Sequence, residues 1–148
     1  MPKFILTILA LLIFASAIAA QDFEYGTTAE LKGLTKVHID VGPDVDNFER
    51  IKKVIEKAKL DDLTIVANRD DADFAIFFRG AREQVLVGRA THLKAVGKGY
   101  VVMPSVDGKR GRILMNFESM QDKIGEDKPA TRLAKDFVKA YKKANDIK

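Results

Sequence analysis

Between Lys36 and Ala67 the spacing of apolar residues changes from every second position to every third or fourth, and then back. Val37, Ile39 and Val41 alternate with His38 and Asp40, the period of a strand with two unlike faces. Gly42-Pro43-Asp44 ends that run. Phe48, Ile51, Val54, Ile55 and Ala58 then share one side of a helix expected over 46–59, with Asp46 and Glu49 at capping-box spacing. A second strand is expected over 63–67. A strand, a helix and a strand in so short a stretch form a βαβ unit with its two strands parallel, and this fixes the first half of the fold.

The second half carries a strand pattern. Residues 74–79 are almost continuously apolar, which predicts a central strand buried on both faces. Further strands are expected over 84–93, 99–103 and 112–118, separated by Gly-containing breaks short enough for hairpins. Residues 129–145 predict a closing amphipathic helix, with Pro129 in its first turn and Lys142 and Lys143 near its negative end. The expected fold is therefore α+β (mixed α/β), in the order β-α-β-β-β-β-β-α. It has a mixed sheet with an antiparallel meander and two helices on one face.

The N-terminus predicts where the chain works. Lys3 precedes an apolar run from Phe4 to Phe14, and Ala17-Ile18-Ala19 fits the small-residue pattern of a cleavage site. Residues 1–20 are expected to be a secretory signal peptide cut near Ala19–Gln21. The apolar run falls short of the ~18 residues that a membrane span needs. Residues 21–35 are an ordering segment or a loose tail, in which Phe23 and Tyr25 can dock, and residues 36–148 form one α/β domain. The chain has no cysteine, which excludes disulfides, thiolate catalysis, Cys-ligated zinc and lipid attachment at a cysteine after the signal. A secreted or periplasmic domain with no stable membrane span follows from these readings.

Candidate chemistry is sparse. The chain has two histidines. His38 and Asp40 emerge on the same face of one strand, the spacing of a general-base pair, and His92 is the third residue that a metal or hydrolase site could recruit. The reading set against this is a polar pair on a solvated sheet face. Asn68, Asp70, Asp71 and Asp73 lack the Gly and terminal Glu of a calcium loop and suit turn capping. Ser105 and Ser119 have no nucleophile context. No cofactor and no metal are expected, and the balance is against catalysis.

Net charge is +4, or +3 without Lys3, and nine of the twelve aromatic residues are Phe, mostly at core-like positions. Nucleic acid is therefore not an expected partner. Arg79, Arg82, Lys109, Arg110 and Arg112 flank the Gly80-Ala81 and Asp107-Gly108 breaks. If both breaks are hairpin turns at one end of a meander, these five cations converge on one rim suited to an anion. The expected partners are an envelope protein or an anionic envelope lipid or polymer.

The βαβ start and the Asp71-Ala72-Asp73-Phe74-Ala75-Ile76 strand entrance together resemble small α/β domains of bacterial envelope lipoproteins and secretion accessories. That resemblance implies a non-catalytic envelope module that binds other proteins or assembles into larger complexes. The absent lipid-attachment cysteine departs from those lipoproteins. The leading expectation is an exported, non-enzymatic binding or accessory domain. The alternative is a small secreted hydrolase or metal-dependent enzyme using His38 and Asp40.

Overall fold

A computed structural model of the chain describes residues 23–87, 89–121 and 126–148. The expected signal peptide lies outside the described residues. The elements are β1 (Glu24–Tyr25), β2 (Lys36–Asp40), α1 (Val45–Lys57), β3 (Thr64–Val66), β4 (Phe74–Val87), β5 (Ala90–Met103), β6 (Arg112–Met120) and α2 (Pro129–Ala144). They form a mixed α+β fold around one six-stranded sheet of order β1-β6-β5-β4-β2-β3. The centre, β4-β5-β6, is the expected antiparallel meander. Both flanks are parallel: β2 lies between β3 and β4, and β1 runs beside β6.

Alternation along the strands sorts the residues between two faces. Val37 and Ile39 of β2, Phe74, Ile76 and Phe78 of β4, and Val101 of β5 are buried beneath the two helices. From α1 come Ile51 and Ile55, and from α2 Leu133, Ala134, Phe137 and Tyr141. The rings of Phe74, Phe137 and Tyr141 stack in series, with centroids 5.8 Å apart at each step. Tyr141 donates its hydroxyl hydrogen to the Leu34 carbonyl at 2.7 Å, so the one polar atom at the end of this stack is satisfied.

The N-terminal segment is tied to the same core from Phe23 onward. Glu24 and Tyr25 pair with Arg112 and Ile113, and Leu31 is fully buried in a 3-10 turn over Thr28–Leu31. Asp73 clamps the entrance to β2, accepting from the backbone N–H groups of Thr35 and Lys36 at 2.8 and 2.9 Å.

Three sequence expectations need correction. Residues 84–93 are not one strand. They are the tip of a single long hairpin in which β4 and β5 pair continuously from Ala75↔Val102 to Val87↔Ala90. The supposed breaks at Gly80-Ala81 and at 94–98 lie within these strands. Their glycines serve close approach instead of turning. A Cβ on Gly97 would sit 2.5 Å from Phe78 Cζ and 2.7 Å from Pro129 Cβ, and one on Gly99 would meet the Phe77 carbonyl at 2.8 Å.

The second correction concerns α1. It is capped by Asp44, whose Oδ1 accepts from the Asn47 N–H at 3.1 Å, so the helix starts ahead of the Asp46 box. The third concerns β4, which is central but not fully buried on its second face: Ala75 is buried there, while Phe77 is not. Phe77 lies half-buried beneath Arg69, whose guanidinium carbon is 4.9 Å from the ring centroid.

Candidate functional site

No described element covers the second face of the sheet. The register sets Tyr25 of β1, Ile113 of β6, Tyr100 and Val102 of β5, and Phe77 of β4 on this side. Tyr25 is 78% exposed and Tyr100 39%, values far from those of the buried rings across the sheet. Phe23 lies beside them at 36%. Together they floor a shallow concavity of about 760 Å³, bordered by Arg69, Arg79 and Lys98. Rigid aromatic carbon next to three cations is chemistry suited to a ligand with both an apolar body and negative charge.

The cations reach this border by strand register. Arg79 and Lys98 are directly opposite each other across β4 and β5. Arg79 donates from Nη2 to Asp40 Oδ1 at 2.9 Å, and from Nη1 to the carbonyls of Asp40 and Phe78 at 3.0 and 2.9 Å. Lys98 pairs with Glu118 at 3.2 Å, both largely in solvent, so that link yields readily to a competing anion.

His38 and Asp40 lie on the same face, and each is held by its own set of partners. The His38 ring is held with Nδ1 3.3 Å from the Val66 carbonyl. Asp40 accepts from Arg79 and, through the same Oδ1, from the Gly42 N–H at 3.0 Å. Burial pushes its carboxyl up, yet the Gly42 N–H, the Arg79 guanidinium and the charge of His38 outweigh that and hold it below the ordinary aspartate value. The carboxylate therefore anchors Arg79 and the end of β2.

His92 stands far from this pair. His38 is in register with Ala75, whereas His92 is opposite Val85, ten positions further along β4. At about 3.3 Å per residue that is ~33 Å, far beyond the reach of an imidazole. The structure does not bring the three residues together. Among the described residues, no group of three or more acidic, His or Cys side chains is placed to hold a metal.

The five cations also fail to converge on one rim. Because Gly80-Ala81 is strand, Arg79 and Arg82 lie along β4, while Lys109 and Arg110 lie in the loop between β5 and β6. Lys98, beside Arg79, is five positions from the loop end at Met103, about 17 Å. Arg112 is engaged on the helix side, with Nη1 2.8 Å from Glu30 Oε2. Of the five, Arg79 alone borders the concavity. Arg69, Lys98 and the aromatic floor were missed, because their grouping depends on strand order and on which face the helices leave bare.

The remaining polar candidates have structural tasks. Ser119 Oγ accepts from Arg132 Nη1 at 3.0 Å, and the Asn68 side chain caps the Asp70 N–H at 3.2 Å. No described helix is long and apolar enough to cross a membrane.

No protein-family model matches the sequence, and no curated protein sequence is similar to it. Among solved structures, the hypothetical protein CT253 from Chlamydia trachomatis is similar over 76% of this chain and 98% of that one, at 9% identity and a TM-score of 0.44. A minor lipoprotein from Acinetobacter baumannii is similar over 75% of this chain and 93% of that one, at 11% identity and a TM-score of 0.38. The rare lipoprotein B from Shewanella oneidensis covers 74% of this chain and 90% of its own, at 13% identity and a TM-score of 0.36. Two of the three are lipoproteins by description, the class that the Asp71–Ile76 strand entrance resembles. At this level of similarity they carry no argument about what this chain does.

Proposed function

We propose that the chain is an exported, non-enzymatic binding domain of the bacterial cell envelope that holds an anionic amphiphile, a lipid with an acyl body and a negative headgroup, on its open sheet face. The single observation that carries this reading is the pairing of exposed aromatic carbon at Tyr25 and Tyr100 with a cationic border of Arg69, Arg79 and Lys98. The acyl body lies over the aromatic floor, and the headgroup displaces Glu118 from Lys98 and meets Arg69. The signal-peptide pattern of residues 1–20 supports export, and the engagement of Asp40 by Arg79 and Gly42 supports a binding role over a catalytic one.

The test uses the mature chain with vesicles of phosphatidylglycerol and of phosphatidylcholine. Co-sedimentation with the anionic vesicles, weakened by salt and reduced roughly 10-fold by Tyr25→Ser with Tyr100→Ser, is the expected result. Equal binding to both vesicle types, no binding to either, or an unaffected double variant overturns the reading. A protein partner captured on the same face in place of lipid overturns it as well.

A further inference from the structure

Beyond the end of β2, one edge of β4 is left open. β2 accompanies β4 only as far as Phe77, and the chain then turns off at Gly42 (φ 64°) to enter α1. β4 itself runs on to Val87, paired without interruption to β5. Which of its backbone groups face the open edge follows from one bond. Gln121 donates its N–H to the Ala95 carbonyl at 2.7 Å, so the polar groups of Ala95 point toward β6 and away from β4. Arg82, directly opposite Ala95, therefore turns its own N–H and C=O away from β5, and alternation does the same for Gly80 and Gln84. The Phe78 carbonyl, on the same edge, accepts from Arg79 Nη1, in keeping with this phase. Gly80, Arg82 and Gln84 thus present three donor and acceptor pairs that no described strand meets, and residues 78–84 contain no proline.

A cationic hollow lies beside this edge. By alternation Arg82 shares the helix-covered face with Phe78, and there it lines a cavity of about 290 Å³ with Arg50 of α1 and Lys128, just ahead of α2. None of these three cations has a hydrogen bond or ion pair among the described residues. Asp44 and Asp46 line the same cavity. Both oxygens of Asp44 are taken by Asn47, from its N–H at 3.1 Å and from Nδ2 at 2.8 Å. Three unpaired cations thus face one uncommitted carboxylate, that of Asp46.

We infer that the edge of β4 from Gly80 to Gln84 receives an extended, acidic segment of a partner protein as an added strand. Main-chain hydrogen bonds to Gly80, Arg82 and Gln84 hold the segment, and charge selects it. The residue placed opposite Arg82 points to the same face, with the two Cβ atoms about 5 Å apart. An aspartate or glutamate there pairs with Arg82 at the cavity that Arg50 and Lys128 border. The cavity and the aromatic floor lie on opposite faces of the sheet, so this inference does not rest on amphiphile binding.

A displayed library of random linear peptides, selected on the mature chain, tests the inference. Enriched peptides are expected to be β-prone, with an aspartate or glutamate at a shared position. The synthetic peptide is then measured by fluorescence anisotropy. Arg82→Glu is expected to weaken its binding at least ~10-fold, and Arg110→Glu, the same charge change in the loop between β5 and β6, to leave it unchanged. N-methylation of alternate peptide amides separates strand addition from charge alone. One alternate set is expected to abolish binding and the other to preserve it, because only one set faces β4. Melting temperatures show that both variants are folded. No enriched peptide, enriched peptides without an acidic position, indifference to Arg82→Glu, or an equal response to both methylation patterns overturns the inference. A chain that self-associates through this edge in place of the peptide overturns it as well.

Discussion

The two faces of the sheet are built from the same strands, often from adjacent residues, yet they end in opposite conditions. Phe78 is 1% exposed under the helices, while its neighbour Phe77 is half-buried on the face that no described element covers. The helix-covered face is a packed interior in which even a methyl group on Gly97 has no room. The bare face keeps rings at the surface and gathers cations around them. The large buried rings are therefore concentrated on one side, and the exposed rings of the other can change at little cost to the domain.

Substitutions separate the faces, with the largest effects expected under the helices. Phe137→Ala removes the middle ring of the Phe74-Phe137-Tyr141 series and is expected to cost ~3–5 kcal/mol in chemical denaturation. Gly97→Ala drives a methyl into Phe78 and Pro129, with an expected cost of ~1–3 kcal/mol by the same measurement. A variant as stable as the wild type would break the picture of a tightly closed interior.

Tyr141→Phe is expected to cost ~1 kcal/mol, because the Leu34 carbonyl loses its donor. It also has a pH signature. Burial, with Asp62 and Asp73 nearby, raises the Tyr141 phenol above its ordinary 10.0. Its contribution is full below that value and is lost at higher pH, where the unfolded phenol ionises while the folded one still holds its proton. Denaturation curves measured above pH 10.0 should be flatter with pH for Tyr141→Phe than for the wild type.

On the bare face, Tyr100→Ser is expected to shift stability by no more than ~0.5 kcal/mol, since the ring already meets water. A loss like that of Phe137→Ala would erase the contrast between the faces. The smallest effect belongs to Asp40→Asn, a few tenths of a kcal/mol (about 0.3) at neutral pH, because Arg79 is largely solvated. Asp40 titrates below its ordinary 3.8, so its contribution is present above that value and is lost as pH falls through the folded one. Acid denaturation should bring the variant and wild-type curves together at the lowest pH.

Helices and the parallel start were legible because periodicity reports local geometry directly. Pro129, the apolar stripe at 133, 134, 137, 140, 141 and 144, and the alternation of Val37 and Ile39 lie within their elements as expected, while Val41 falls just past the end of β2. The long hairpin was not legible, since glycine serves both turns and close packing. Nothing near Gly97 in sequence reveals that Phe78 and Pro129 fill the space beside it. Asp73 looked like one more turn carboxylate, and its grip on Thr35 and Lys36 appears only once β2 and β4 are neighbours. The candidate site failed for a related reason. Which cations share a surface is decided by strand order, and this order separates Lys109, Arg110 and Arg112 from Arg79 while bringing Lys98 beside it.

The most direct test of the open face as the working face asks which side of the sheet a bound amphiphile touches. An NMR experiment with a spin-labelled anionic lipid reads this from the broadening of assigned methyl signals. The account predicts broadening at Val102 and Ile113, on the bare face, while Leu133 and Val138 of α2 stay sharp. Broadening centred on α2, or uniform across both faces, would contradict it.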